Sequence, residues 1–288
     1  LESGEEVYTG FVEKLVDDEK IDLFYAGEEI EFTKEELESY HPNQFIMLKS
    51  NVNESRTALT RFADANAPLR KLYNRKNSFG ISPRNKEQQF AMDLLFDKDV
   101  PVVSLIGSAG TGKTLCALSA GLEQVLQTED YTRLIVSRPI QPLGKEIGFL
   151  PGTMEEKMAP WLTPIQDNLQ FLMGNDKLML QEYLDRGTIE MEAITYIRGR
   201  SISKAFIIID EAQNLTRHEL KTIITRVGED TKLILTGDIE QIDNVYTNET
   251  SNGLTYAIEK FKHSPIAGHV SFKKGERSKL ATAAAKLL

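Results

Sequence analysis

The sequence predicts an α/β fold in which a parallel sheet carries helices on both faces, preceded by a small β-barrel-like N-terminal domain. Short apolar runs recur between residues 102 and 272, separated by helical stretches, as expected for parallel strands buried on both faces. A glycine-rich segment at residues 107–114 directly follows the first of these runs. Before residue 51, short segments of alternating polar and apolar residues are typical of a small antiparallel β domain.

The composition is that of an ordinary globular protein. With 288 residues, of which 41% are hydrophobic and 27% charged, the chain is long enough for one large domain and a small one. No run of 18 apolar residues occurs and the acidic N-terminus is unlike a signal peptide, so we expect a cytoplasmic protein without membrane contact. The single cysteine, Cys116, is expected to pack in a helix rather than to react. Because the chain begins with Leu1 rather than Met, we expect a fragment or a processed form.

Residues 1–50 are predicted to form a small antiparallel β domain of the size of oligonucleotide-binding (OB) or SH3-like modules. Its strands are expected at residues 7–12, 21–25, 29–32 and 44–48, with a turn at Gly27. Such a domain could bind RNA or dock against the rest of the chain. Its 14 acidic side chains against 4 lysines, a balance of −10, favour docking.

Residues 51–80 are predicted to be an irregular connector, since they include Pro68 and Gly80. Although the whole chain has a net charge of −9, residues 56–86 have a balance of +7. The basic residues are Arg56, Arg61, Arg70, Lys71, Arg75, Lys76, Arg84 and Lys86. They form either a solvated linker surface or a surface that contacts a nucleic-acid backbone.

The main domain is predicted to span residues 81–288. It begins with a helix that Ser82 caps ahead of Pro83. Parallel strands are expected at residues 102–106, 133–137, 206–210, 232–236 and 269–272. Ligands of such sheets bind beyond the carboxyl ends of the strands, so the residues that follow each run are candidates for a binding site.

The segment 107–114 matches the phosphate-binding loop pattern of two glycines followed by Lys-Thr, between a predicted strand and a helix. The residues expected to bind the phosphates are Gly107, Ser108, Ala109, Gly110, Thr111, Gly112, Lys113 and Thr114. Lys113 would neutralise the β- and γ-phosphates, and Thr114 would bind Mg²⁺. The motif predicts a P-loop NTPase with a RecA-like sheet that uses ATP and Mg²⁺. The alternative is a glycine-rich turn before an ordinary helix.

Two further strand ends carry polar residues suited to nucleotide chemistry. Asp210, at the end of its run, would hold Mg²⁺ through water, and Glu211 would accept a proton from the attacking water. The Gly-Asp-x-x-Gln pattern that ends at Gln241 is similar to the helicase motif whose glutamine senses the γ-phosphate. Asp238 in this pattern could also cap a helix, and both roles can hold at once.

Gln88 is the candidate reader of the base. The pattern Asn-x-x-Gln-x-x-Ala from Asn85 resembles the adenine-reading motif of superfamily 1 helicases, and an amide offers the donor and the acceptor that the adenine edge requires. The alternative is an ordinary exposed helical glutamine. A GTPase would need Asn-Lys-x-Asp after a strand. The string Asn175-Asp176-Lys177 has the wrong order, so we set that class aside.

Several longer stretches resemble the PhoH family of ATPases. They are residues 137–152, 198–201, 206–214 and 273–281, the last of which resembles the terminal arginine motif of that family. The resemblance spans about residues 80–288 and implies ATP hydrolysis coupled to RNA binding or unwinding. In many relatives a PIN ribonuclease domain precedes this one. The acidic nuclease cluster is absent from this sequence, so ribonuclease activity is not assigned to it.

RNA contact is expected from basic residues near the second and third main strands, namely Arg138, Lys145, Arg198 and Arg200, although each could form a structural salt bridge instead. Residues 154–184 are predicted to form amphipathic helices. Packing in the core or at a subunit interface is the favoured role of their apolar residues, and base stacking by Trp161 is the alternative.

Because the chain has one motor core where superfamily 1 helicases have two, we expect a homo-oligomeric ring, such as a hexamer. Arg277 would complete a neighbour's site, or else its own. A nucleotide-dependent scaffold without turnover is the alternative function, and the presence of Glu211 and Gln241 favours hydrolysis.

Overall fold

The computed structural model describes residues 7–67, 69–73, 77–139, 154–194, 202–240 and 252–273. Within these ranges the strands form a four-stranded N-terminal sheet and a six-stranded main sheet. The small N-terminal β unit and the larger α/β unit that the sequence predicts are therefore both present.

The N-terminal sheet contains strands from both the predicted small domain and the predicted connector. Its strands are β1 (Phe11–Val16), β2 (Gln44–Ser50), β3 (Thr57–Phe62) and β4 (Arg70–Lys71), in the spatial order β1-β2-β3-β4. The pairs β2–β3 and β3–β4 are antiparallel, whereas β1 and β2 are parallel, so the prediction of a wholly antiparallel unit is wrong for the first pair. A parallel pair needs a crossover connection, and here the helices α1 (Asp18–Tyr25) and α2 (Lys34–Ser39) lie between its strands in the sequence.

The predicted strand at residues 21–25 is wrong, because α1 covers it. Asp18 and Glu19 lie in the first turn of this helix, where the helix dipole favours acidic groups, and Ile21 and Phe24 are buried on one face. Residues 29–32 form no regular structure. The irregular connector is also wrong in part, since β3 and β4 lie within residues 51–80.

The main sheet is parallel throughout. Its strands are β5 (Val102–Ile106), β6 (Arg133–Arg138), β7 (Ile189–Ala193), β8 (Ala205–Ile209), β9 (Lys232–Gly237) and β10 (Ala267–Ser271), in the order β10-β5-β9-β8-β6-β7. All five predicted strands are confirmed to within a few residues at their ends. The edge strand β7 was missed because its sequence alternates polar and apolar residues and its middle is only half buried.

Helices cover both faces of this sheet. They are α3 (Lys86–Leu95), α4 (Lys113–Leu122), α5 (Met154–Leu172), α6 (Lys177–Asp185), α7 (Arg217–Ile224) and α8 (Gly253–Phe261). Along β8, Phe206 and Ile208 belong to the apolar cluster that includes α3 to α6, while Ile207 and Ile209 belong to the cluster that includes α7 and α8. Alternate residues of a strand point to opposite faces, so the two clusters are the two sides of the sheet.

A buried ion-pair network joins the N-terminal sheet to α3. The guanidinium of Arg61 lies 3.0 Å from the Asp93 carboxylate and 2.8 Å from that of Asp97, and the Arg70 guanidinium lies 2.8 Å from Asp93. The rings of Phe45 and Phe90 stack across the same junction with centroids 4.4 Å apart. These contacts agree with docking as the role of the N-terminal unit, and they engage two of the arginines of the basic stretch.

Candidate nucleotide-binding site

The phosphate-binding loop connects β5 to α4 and has the backbone that its glycines allow. Gly110 and Gly112 have φ angles of 83° and 86°, in the left-handed region that favours glycine. A Cβ atom at Gly112 would lie 2.7 Å from Nε2 of Gln88. The helix α4 begins directly after Gly112, so its first turn is presented to the loop.

The loop is braced from within and from the neighbouring strand. The Thr111 hydroxyl donates to the Ser108 carbonyl oxygen at 2.8 Å, and the Gly107 N–H donates to the Gly237 carbonyl oxygen at the end of β9 at 3.0 Å. The first N–H groups of an α-helix have no partner inside the helix, and its N-terminal end is positive. Lys113, in the first turn of α4, is 8% exposed and adds a cation to this anion-binding position.

A cleft of about 710 Å³ lies beside the loop. Its lining includes Gly110, Lys113 and Thr114 from the loop and α4, and Ile165, Asn168 and Phe171 from α5. Clefts of this size are typical of small-molecule sites. Ile165 is buried against the core, as the packing interpretation of residues 154–184 predicts, while the ring of Phe171 is 57% exposed at the cleft.

The two residues assigned to magnesium lie together in this cleft. The Thr114 hydroxyl donates to Oδ1 of Asp210 at 3.3 Å, and the Thr236 hydroxyl of β9 donates to the same oxygen at 2.7 Å. Hydroxyl and carboxylate oxygens are ligands that Mg²⁺ prefers, and in nucleotide sites water and phosphate oxygens supply the rest. The residues present therefore fit this ion.

Glu211 adopts a conformation that is unusual for a residue with a side chain. Its φ of 56° places it in the left-handed region, which costs about 1 kcal/mol for a non-glycine residue. Strain of this kind concentrates at functional sites. The side chain lines the same cleft as Lys113 and Thr114, so the structure brings the predicted base to the predicted phosphate site.

Gln213 is a residue whose role sequence reasoning missed. It is buried, its Nε2 donates to Oε2 of Glu211 at 2.6 Å, and its Oε1 accepts from the Asp238 N–H at 3.1 Å. The amide therefore links the predicted base to the Asp238 backbone directly after β9. The only signal in the sequence is its position two residues after Glu211, which does not reveal its partner.

Arg138, at the end of β6, contacts both acidic residues. Its Nε lies 3.4 Å from Oδ2 of Asp210 and its Nη2 lies 3.4 Å from Oε1 of Glu211. A third nitrogen, Nη1, donates to the carbonyl oxygen of Trp161 in α5 at 2.8 Å. Of the two interpretations of Arg138, the salt bridge is the one that the structure contains.

Gln88 lies at the edge of the loop, one turn into α3. The cap of this helix is Asn85, so the predicted cap at Ser82 is wrong. The Oε1 atom of Gln88 accepts from the Arg84 N–H at 2.8 Å and its Nε2 donates to the Thr111 carbonyl oxygen at 3.2 Å. These bonds fix the orientation of the amide and leave one further donor and one further acceptor position. Gln88 is thus an engaged residue that lines the cleft, and adenine recognition stays a prediction.

Cys116 follows the loop in α4 and is buried. Burial raises the pKa of its thiol to about 12, so the thiol is protonated at neutral pH. A protonated, enclosed thiol is a poor nucleophile, which confirms packing as its role.

Other predicted site residues lie outside the described ranges. These are Gln241 and Arg277, together with the proposed RNA contacts Lys145, Arg198 and Arg200. Their roles stay predictions. Asp238 is described, and its carboxylate accepts from the Glu240 N–H at 3.0 Å, which forms a local turn.

The chain is similar to several known proteins. The family model described as "PhoH-like protein" matches residues 80–287. Protein PhoH2 of Bacillus subtilis is 47% identical over 294 residues, covering 99% of this chain and 65% of that protein. Protein PhoH2 of Thermobispora bispora is 35% identical, covering 100% of this chain and 64% of that protein. The chain thus spans slightly less than two thirds of the length of these relatives.

Solved structures resemble the chain weakly, at low sequence identity. The HK97 bacteriophage large terminase matches with a TM-score of 0.43 and 14% identity, covering 72% of this chain and 43% of that one. The Pif1 helicase from Candida albicans matches with a TM-score of 0.35 and 16% identity, with the same coverage. In the part of the chain that the structure describes, no helix has the length and apolar character needed to cross a bilayer. The family match over residues 80–287, together with a phosphate-binding loop on a parallel α/β sheet, shows that this chain belongs to the PhoH-like protein family.

Proposed function

We propose that the chain is a Mg²⁺-dependent ATPase that couples ATP hydrolysis to the binding or unwinding of single-stranded RNA. The observation that carries the ATPase part is the meeting of Lys113, Thr114, Asp210 and Glu211 in one cleft at the carboxyl ends of the strands. A basic residue, two oxygen ligands and a carboxylate base are the groups that phosphoryl transfer to water requires.

Each residue has a separate task in this proposal. The loop N–H groups and Lys113 bind the phosphates and neutralise their charge. Thr114 and Asp210 hold Mg²⁺, which supplies further charge neutralisation at the phosphates when bound. Glu211 accepts the proton of the attacking water, and its bond from Gln213 keeps the carboxylate oriented. Gln241 senses the terminal phosphate.

Gln88 is proposed to select adenine. Its amide is already fixed by Arg84 and Thr111, so it cannot turn over without losing two hydrogen bonds. A fixed donor and acceptor match the adenine edge, while the guanine edge presents them reversed.

The RNA part rests on the resemblance to the PhoH family and on the basic residues Lys145, Arg198 and Arg200. Arg138 no longer contributes to it, because its guanidinium is directed to Asp210 and Glu211. The ATPase domain is proposed to comprise residues 81–288, with the preceding residues docked on α3.

The active form is proposed to be a homo-oligomeric ring, such as a hexamer, in which Arg277 reaches a neighbour's site. A head-to-tail interface that closes by rotation would supply the missing face of the nucleotide. Mixing inactive Arg277→Ala subunits with inactive Lys113→Ala subunits should restore ATPase activity if Arg277 acts in trans. No recovery on mixing, with stable rings, would favour action in cis.

The test of the whole proposal is phosphate release from ATP, measured with and without single-stranded RNA. We expect turnover that requires Mg²⁺ and increases when RNA is added. ATP binding without turnover would instead favour a nucleotide-dependent scaffold or switch. Turnover that RNA leaves unchanged would remove the RNA part and leave the ATPase part intact.

A further inference from the structure

Arg138 contacts both acidic residues of the cleft and also the helix α5, which contributes to the lining of the same cleft. Its guanidinium lies 3.4 Å from both Asp210 and Glu211. Its third contact is the hydrogen bond to the Trp161 carbonyl oxygen in α5. Since Ile165, Asn168 and Phe171 of the same helix line the cleft, Arg138 links α5 to the two carboxylates.

The turn of α5 that Arg138 contacts has a weakened helical hydrogen-bond pattern. Pro160 and Pro164 lie inside this helix on either side of Trp161. A proline inside a helix has no N–H to donate and displaces the carbonyl four residues earlier, so the helix around it bends more easily. A change in the position of Arg138 would therefore act on a part of α5 that bends more easily than an uninterrupted helix.

The two ion pairs of Arg138 are loose. Charge-assisted hydrogen bonds between nitrogen and oxygen are typically about 2.7–2.9 Å long, whereas both carboxylate distances here are 3.4 Å. A guanidinium has five N–H donors in a planar fork that matches phosphate as well as carboxylate. A terminal phosphate bound at the loop would therefore compete with Asp210 and Glu211 for this side chain.

We propose that Arg138 couples the phosphate content of the bound nucleotide to the position of α5. A triphosphate draws the guanidinium from the carboxylates, the Trp161 turn moves with it, and Glu211 is released to act as the base. A diphosphate lacks the group that competes, so the contacts with Asp210 and Glu211 persist. A ligand can shift such an equilibrium only through a difference in its contacts, and the terminal phosphate supplies that difference. This inference rests on the proposed nucleotide site.

The sequence provides its own reporter of this movement, because Trp161 is the only tryptophan among the 288 residues. Intrinsic fluorescence of the chain would be recorded during titration with Mg²⁺ and either a non-hydrolysable ATP analogue or ADP, while calorimetry measures binding separately. We expect the analogue to change the emission of Trp161 and ADP to leave it nearly unchanged. The variant Arg138→Gln should still bind the analogue, but without the emission change.

The ratio of the dissociation constants for ADP and the analogue should be about tenfold smaller in Arg138→Gln than in the wild type. This is the size expected for the loss of one charged hydrogen bond. The matched control is Arg133→Gln on the same strand, whose guanidinium lies 3.1 Å from Glu190 and which does not line the cleft. It should keep the emission response of the wild type. Arg138→Lys, which keeps the charge but has one nitrogen, serves if Arg138→Gln fails to fold, and it too should lose the response.

Three outcomes would overturn the proposal in distinguishable ways. Equal emission changes with the analogue and ADP in the wild type would remove the role of the terminal phosphate. A wild-type response in a folded Arg138 variant that binds the analogue would remove Arg138. Calorimetry that shows no nucleotide binding by the wild type would overturn the proposed function, and this inference with it.

Discussion

The side-chain amide of Gln213 donates a 2.6 Å hydrogen bond to the carboxylate of Glu211, and its oxygen accepts from the backbone of the β9 loop. One buried amide thus orients the predicted base and anchors the segment that leads to the predicted phosphate sensor. Because both ends are engaged, rotation of the amide would break one or both of these hydrogen bonds.

Replacing Gln213 should therefore slow catalysis without weakening nucleotide binding. Gln213→Ala is expected to lower kcat by about tenfold or more while KM for ATP stays within a factor of two to three, since it disturbs the base but no phosphate contact. Steady-state phosphate release measures both constants. The exposed Gln181, which bonds Asp185 on α6, provides the control Gln181→Ala. A raised KM with unchanged kcat would contradict this role.

Substitutions of Lys113 and Glu211 should impair different steps, nucleotide binding and hydrolysis respectively. Lys113→Ala is expected to weaken ATP binding, because a cation at the start of α4 is lost. Glu211→Gln should preserve binding and slow turnover by about 10²–10⁴-fold, as expected for loss of a general base. Calorimetry and single-turnover hydrolysis separate the two effects. Normal turnover by Glu211→Gln would show that another group accepts the proton.

Nucleotide choice should depend on Gln88. The wild type is expected to use ATP in preference to GTP, and Gln88→Ala should narrow the difference in kcat/KM between them. The same change removes the bond to Thr111, so some loss of affinity for both nucleotides is expected. Equal use of ATP and GTP by the wild type would exclude Gln88 as the base reader.

The junction between the N-terminal sheet and α3 should contribute strongly to stability. Asp93→Asn leaves Arg61 and Arg70 short of a buried carboxylate, and breaking a buried pair costs about 3–5 kcal/mol. Urea unfolding measures this change. Glu182→Gln, which breaks the exposed pair with Arg186 on α6, should change the free energy of unfolding by about 0.5 kcal/mol or less. Similar effects of the two substitutions would be inconsistent with a buried network.

Lys232 should make stability depend on pH. Burial lowers its pKa to about 7 from the ordinary 10.5, and its Nζ donates to the carbonyl oxygens of Leu94 and Asp97. Between pH 7 and pH 10.5, Lys232 is protonated in the unfolded chain but not in the folded chain. The free energy of unfolding should therefore rise with pH in this range, by up to about 1.4 kcal/mol per pH unit. Comparing unfolding of the wild type and Lys232→Met at pH 7 and 9 tests this. If the free energy of unfolding of the two proteins changed equally with pH, Lys232 would not lose its proton on folding.

The elements that could be predicted from the sequence are those marked by a continuous pattern of residues. Strands such as β8 are unbroken apolar runs, and Asp210 could be assigned because a strand end and a phosphate loop constrain each other. The segment at residues 21–25 alternates well enough to suggest a strand, and only its packing as α1 decides otherwise.

The contacts around Asp210 could not be predicted, because they depend on spatial strand order. The strand β8 lies between β9 and β6, which brings Thr236 and Arg138 to opposite sides of the same carboxylate. Neither neighbour is close to Asp210 in the sequence, and no periodicity of the chain specifies which strands will be adjacent.

The helix α3 has a contact of interest near each end: Gln88 bonds the phosphate loop, and Asp93 holds the arginines of the N-terminal sheet. The two residues are five positions apart in the α-helix, a rise of about 7.5 Å along its axis. A mechanical load applied to the N-terminal sheet would therefore reach the loop through a stiff lever rather than dissipate in a flexible connection. In the reverse direction, movement of the loop would be transmitted along α3 to the N-terminal sheet.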